Sequence, residues 1–136
     1  MKTSPRILLV EDNEDDSFLT ERVLRKAGLR TIFNAVNGRI ALEYLQGMGT
    51  YGDRVAHPLP EIILLDLKLP EVSGHQVLEW IHTRPDLARL RVYILSSSGE
   101  ARDRARAGDA HAAGYFVKPL TGMNLQEILA HLQPVR

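Results

Sequence analysis

The chain has 136 residues, the length of one compact domain. Lys plus Arg and Asp plus Glu each number 17, so a formal net charge of zero offers no general attraction for nucleic acid or an anionic membrane. The lack of cysteine excludes disulfide scaffolds, thiolate zinc sites and cysteine nucleophiles.

Short apolar runs alternate with amphipathic stretches along the chain. Ile7-Leu8-Leu9-Val10, closed by Glu11 and Asp12, reads as a strand buried on both faces. Those two acids also come too early for a signal peptide. Asn13 is the expected N-cap of a helix carrying Leu19, Val23 and Ala27 on one stripe, with Gly28 ending it. Residues 31–36 form a second, less apolar strand, expected nearer an edge. Asn37 and Gly38 then turn the chain into a helix with Ala41, Leu45 and Met48 on one face.

Residues 47–60, with their glycines and prolines, read as a lengthened surface loop. Residues 61–66 (Glu-Ile-Ile-Leu-Leu-Asp) are the clearest strand. Gly74, Val77, Leu78 and Ile81 then mark a helix that should stop before Pro85. Trp80 lies off that stripe. Residues 92–96 make a fourth strand, and Ser97 with Glu100 has capping-box spacing for a helix to about Ala107. Residues 115–118 make a fifth strand, and Leu125, Ile128, Leu129 and Leu132 form the last helical stripe before Pro134. No apolar run approaches the ~20 residues of a membrane span. Five strands alternating with five helices imply right-handed crossovers and a doubly wound parallel α/β sheet.

In such a sheet, ligands gather at the carboxyl ends of the strands. Glu11 and Asp12 follow strand one, Asp66 ends strand three, Ser96 ends strand four, and Lys118 with Pro119 ends strand five. Three carboxylates on one rim repel unless a cation neutralises them. Oxygen ligands without His or Cys suit a hard ion, Mg²⁺ before zinc or copper. A lysine and a hydroxyl facing them suit a phosphoryl group, and Asp66 is the candidate nucleophile for an acyl phosphate. Taken singly, each feature has a plainer reading. Glu11, Asp12, Glu14, Asp15 and Asp16 lie near a helix N-terminus, where negative charge is favoured in any protein. The convergence of the strand ends carries the functional reading.

Val10-Glu11-Asp12-Asn13, residues 64–70 (Leu-Leu-Asp-Leu-Lys-Leu-Pro) with Gly74, residues 94–98 (Ile-Leu-Ser-Ser-Ser) and residues 115–119 (Tyr-Phe-Val-Lys-Pro) resemble the receiver domain of two-component response regulators. The four motifs come in the family's order and span residues 6–132. The resemblance implies a flavodoxin-like sheet of order 2-1-3-4-5 over a receiver at residues 6–133, with no output domain. It implies a phosphoacceptor signalling protein that promotes its own phosphorylation and dephosphorylation, with Asp66 modified by a histidine kinase. Asp12 and Glu11 would hold Mg²⁺ together with Asp66 and the backbone carbonyl of Lys68. Ser96 and Lys118 would bond phosphoryl oxygens, Tyr115 would be the aromatic switch, and the Lys118–Pro119 peptide would be cis.

Ser96 stands where threonine is commoner in that family, Lys68 puts a long cation at the site mouth, and His111 replaces a frequent glycine. His111, the long 47–60 loop and residues 66–70 (Asp-Leu-Lys-Leu-Pro) together resemble the stand-alone receivers that partner bacterial phytochrome-type histidine kinases. That implies a cytoplasmic homodimer with a kinase partner, binding neither nucleic acid nor membrane.

Two other functions compete. A receiver-like module could bind partners without phosphorylation, and a haloacid dehalogenase-type phosphatase would use an aspartyl nucleophile. The latter places a second Asp two residues on, where Lys68 stands here. Residues 47–52 satisfy G-x-G-x-x-G but follow a helix rather than a strand, which makes them a loop. Arg102, Arg104 and Arg106 alternate with acids and read as a solvated face, and the five histidines lack zinc-ligand spacing.

Overall fold

The computed structural model describes residues 4–97, 105–106 and 112–132. The five strands are β1 (Ile7–Val10), β2 (Ile32–Ala35), β3 (Ile62–Leu65), β4 (Arg91–Ser96) and β5 (Gly114–Val117). They pair in parallel in the order β2-β1-β3-β4-β5, which makes the less apolar β2 an edge strand, as expected. The described helices of eight residues or more are α1 (Glu14–Lys26), α2 (Gly38–Gln46), α3 (Gly74–His82) and α4 (Gly122–Ala130). The helix expected from Ser97 to Ala107 falls almost wholly outside the described residues, as do His111, Arg102 and Arg104. Ala105 and Arg106 within that stretch are helical.

Side chains of successive strand residues alternate between the two faces of the sheet, so each central strand feeds two cores. Leu8, Val10, Ile63, Leu65, Val92 and Ile94 pack with Ala41, Tyr44 and Leu45 of α2 and Val77, Leu78 and Ile81 of α3. Ile7, Leu9, Ile62, Leu64, Tyr93 and Leu95 pack with Leu24 of α1 and Leu125 and Ile128 of α4. Every residue of β1 and β3 is buried, which explains their uninterrupted apolar runs. Among the described residues no helix is long and apolar enough to cross a membrane.

Two helical stripes differ from expectation. In α1 the buried residues are Ser17, Thr20 and Leu24, while Leu19 is half exposed and Ala27 exposed. The small polar Ser17 faces the sheet because the Asn34 amide of β2 donates to its hydroxyl, a bond the apolar pattern does not encode. In α2 the chain turns left-handed at Gly47 (φ 72°), so Met48 lies beyond the helix and is exposed rather than on the stripe. The α3 stripe is as read, and Ser73 with Gln76 closes its N-terminus in a capping box. Trp80 is half-buried beneath the Arg84 guanidinium, 5.0 Å from its ring centre.

The 47–60 segment is more ordered than a plain loop. A 3-10 turn (Gly49–Gly52) sets Tyr51 against Phe33, Tyr44 and His57. Arg54 donates to the carbonyls of Tyr44 (2.8 Å) and Leu45 (3.0 Å), closing the end of α2. The 47–52 glycine pattern thus follows a helix, as its sequence context required.

Candidate functional site

Strand register builds the site. Val10 pairs with Leu65, so Glu11 and Asp66 leave neighbouring strands side by side. The Asp66 amide still donates to the Val10 carbonyl at 3.1 Å, and the Glu11 amide to the Ala35 carbonyl at 3.0 Å. On the other side Ser96 pairs with Val117, and the Lys118 amide donates to the Ser96 carbonyl at 2.7 Å. The Lys118–Pro119 peptide is cis.

The loop after Asp66 is held by α3. A Cβ on Gly74 would strike the Asp66 carbonyl oxygen and lie 2.6 Å from Leu67 Cα, so only glycine lets the helix start this close. The Gly74 amide donates to the Leu67 carbonyl, and the Lys68 amide donates to Asp66 Oδ1 at 3.1 Å. One carboxylate oxygen of Asp66 is therefore fixed by its own loop.

The structure brings Glu11, Asp12 and Asp66 together, with carboxylate oxygens within 4.8 Å of one another. Glu11 and Asp66 are buried and Asp12 is exposed. Lys118 lies against them, its Nζ 2.6 Å from Glu11, 2.9 Å from Asp16 and 3.0 Å from Asp66. Burial pushes the Glu11 carboxyl above its ordinary range despite hydrogen bonds from Lys118 and the Asn13 amide. Burial opposes the charge on Lys118, yet hydrogen bonds to Glu11, Asp16 and Asp66 win and hold the ammonium above a lysine's ordinary value.

Ser96 is fully buried at the end of β4. Tyr115 is half-buried on β5 and packs on the α2/α3-side core. Lys68 is exposed at the mouth. Glu11, Asp12, Asp66, Lys68, Ser96 and Lys118 thus stand at the strand ends or just beyond them, with Tyr115 on β5.

Asp16 was not among them. It reads in the sequence as first-turn helix charge, and it does lie in the first turn of α1. No local pattern marked it, because Asp12 precedes the N-cap Asn13 and helical i, i+4 spacing does not link the two.

The cluster has the chemistry of a hard-cation site. Its donors are carboxylate oxygens, two of the three residues are buried, and Lys118 leaves the acids of Glu11, Asp12, Asp16 and Asp66 only partly neutralised. A small divalent ion fits this donor set and its residual negative charge.

A five-stranded parallel sheet in this order, with acids and a lysine converging at its carboxyl rim, defines a receiver. The chain belongs to the response regulator receiver domain family, which matches residues 7–130. It is 34% identical over 130 residues to response regulator Rcp1 of Synechocystis sp., covering 95% of this chain and 84% of that protein. The crystal structure of the Mn(2+)-bound form of Rcp1 superposes with a TM-score of 0.77 at 32% identity, covering 94% of this chain and 91% of that one. The bacteriophytochrome response regulator AtBRR gives 0.82 at 35% identity over 96% of this chain and 94% of its own. The phosphorylated cyanobacterial phytochrome response regulator RcpA gives 0.80 at 31% identity over 96% and 91%.

Proposed function

We propose that this protein is a phosphoacceptor switch in which Asp66 takes a phosphoryl group from a phosphohistidine of a sensor histidine kinase. The observation that carries this reading is the setting of the Asp66 carboxylate. Oδ1 is fixed by the Lys68 amide, Oδ2 by Lys118, and Glu11 and Asp12 stand beside it. In the transfer an Asp66 oxygen bonds to phosphorus as the phosphorus–nitrogen bond breaks. The imidazole leaves with the electron pair and the product is an acyl phosphate. Lys118 offsets negative charge on the incoming oxygens, which matters more here than in water because its side chain is only 12% exposed.

Glu11, Asp12, Asp66 and the backbone carbonyl of Lys68 would hold Mg²⁺, which supplies charge neutralisation for the phosphoryl oxygens. The new group adds about −1.5 to −2 charge. The Ser96 hydroxyl then bonds a phosphoryl oxygen, and Tyr115 turns toward the space Ser96 vacates, remodelling the β5–α4 surface. Residues 6–133 act as a receiver, passing the signal by protein contact as a cytoplasmic homodimer. The bacteriophytochrome and phytochrome response regulators among the similar structures support a phytochrome-type kinase as the donor.

The test is intact-protein mass after incubation with acetyl phosphate, with and without Mg²⁺. A Mg²⁺-dependent gain of one phosphoryl group that Asp66→Asn abolishes is expected. Absence of any adduct, together with absence of beryllofluoride binding, would overturn the reading.

A further inference from the structure

The Lys118 ammonium has three N–H donors. All three are engaged, by Glu11 Oε1 at 2.6 Å, Asp16 Oδ2 at 2.9 Å and Asp66 Oδ2 at 3.0 Å. Modification takes the charge off Asp66 and offers Lys118 up to three new acceptor oxygens, so drawing the ammonium onto more than one of them releases an acid that stays unmodified. The cost of release depends on how well water can replace the lost partner. Of the two acids that stay unmodified, the Glu11 side chain is 1% exposed, whereas that of Asp16 is 38% exposed. Asp16 is the carboxylate that water can rehydrate most cheaply.

Asp16 is also tied into the start of α1. Glu11 Oε2 accepts from the Asn13 amide at 3.1 Å, and Asn13 Oδ1 accepts from the Asp16 amide at 2.9 Å. With Asp16 Oδ2 and Glu11 Oε1 both on Lys118, these bonds close a ring of Glu11, Asn13, Asp16 and Lys118. The ring joins the N-terminus of α1 to the residue following β5.

We infer that Asp16 is a positioning residue that holds Lys118 in the unphosphorylated state and is exchanged for a phosphoryl oxygen when Asp66 is modified. Asp16 therefore opposes the phosphorylated state, and its release unties α1 from the β5 end of the sheet. This rests on the phosphoacceptor reading above and adds to it the residue that Lys118 gives up.

The test measures beryllofluoride affinity at saturating Mg²⁺ and the lifetime of the phosphorylated protein, in wild type, Asp16→Asn and Asp16→Glu. The Asp16–Lys118 pair is open to water on the Asp16 side, and such a pair is worth about 0.2–1 kcal/mol, so Asp16→Asn should bind beryllofluoride about 1.5- to 5-fold tighter. The difference should shrink in 1 M salt, which screens the exposed Asp16 charge. Asp16→Glu, which keeps the charge, should return affinity toward wild type. Loss of favourable first-turn helix charge alone would lower the melting temperature and leave beryllofluoride affinity unchanged. Equal affinity in wild type and Asp16→Asn, or Asp16→Glu behaving as Asp16→Asn does, would overturn the inference while leaving the phosphoacceptor reading intact. Failure of wild type itself to take up phosphoryl or beryllofluoride would overturn both.

Discussion

Replacing Lys118 with methionine keeps the aliphatic stem and removes the ammonium, leaving the carboxylates of Glu11 and Asp66 in sites where their side chains are 1% and 8% exposed. Stripping one partner from a buried ion pair costs about 3–5 kcal/mol. The loss has a ceiling set by pH, because Glu11 can escape by taking a proton. Protonating a carboxyl of ordinary value 4.5 costs about 1.4 kcal/mol per pH unit above that value, which is roughly 3.4 kcal/mol at pH 7 and roughly 1.4 kcal/mol at pH 5.5. The sign is fixed by the raised folded value of Glu11, which rises further without Lys118. Stability from such a group is full below 4.5 and declines as pH climbs toward the folded value.

The assay is thermal unfolding by circular dichroism in chelator, at pH 5.5, 7 and 8. For a domain of 136 residues, 3 kcal/mol corresponds to about 10 °C, so the variant should melt about 10 °C below wild type at pH 7. The deficit should be less than half that at pH 5.5. Adding Mg²⁺ should stabilise the variant more than the wild type, because the ion then meets one more uncompensated charge. A deficit independent of pH, or none at pH 8 in chelator, would refute Lys118 as the group that neutralises Glu11 and Asp66.

Gly74→Ala drives a methyl group into the Asp66 carbonyl and Leu67 Cα, backbone atoms that cannot swing aside. We expect about 1–3 kcal/mol of destabilisation by urea titration and slower modification of Asp66, since the loop that fixes Asp66 Oδ1 must shift. Tyr44 donates to the Pro58 carbonyl at 2.7 Å, and burial raises its phenol above the ordinary 10.0. Its contribution is therefore full below pH 10 and lost as pH rises through the folded value; alkaline melts should show a decline that Tyr44→Phe reduces.

The sheet was legible because burial on both faces leaves a local signature. Ile7 to Val10 and Ile62 to Leu65 are uninterrupted apolar runs, and their observed bounds match or fall within the expected ones. Strand-end residues then followed, since parallel pairing puts every carboxyl end on one rim. The expected Leu19 and Met48 positions failed for reasons that single-helix periodicity does not carry. Ser17 turns inward through a bond to Asn34, 17 residues away, and Gly47 ends α2 before Met48 can join its face. The order of the 47–60 segment was equally hidden, because Arg54 reads as a solvated charge until its guanidinium is seen on the last carbonyls of α2. Asp16 illustrates the same limit at the site, for its partner Lys118 lies 102 residues away.

The site is a place where folding and function pull against each other. Register alone sets Glu11 beside Asp66, and neither charge would be tolerated there without compensation. Lys118 provides part of that compensation, but with every donor spent it meets phosphoryl oxygens only by giving up carboxylates that it holds now. A cation at Glu11, Asp12 and Asp66 changes that balance. It takes over part of the neutralisation, which lowers the cost of loosening Lys118 from any one carboxylate. Metal binding and the movement of Lys118 are therefore coupled through shared ligands. By linkage, whatever tightens one must ease the other to the same extent in binding free energy. Asp16→Asn, which removes the charge on one acceptor of Lys118 without touching Glu11, Asp12 or Asp66, separates the two contributions.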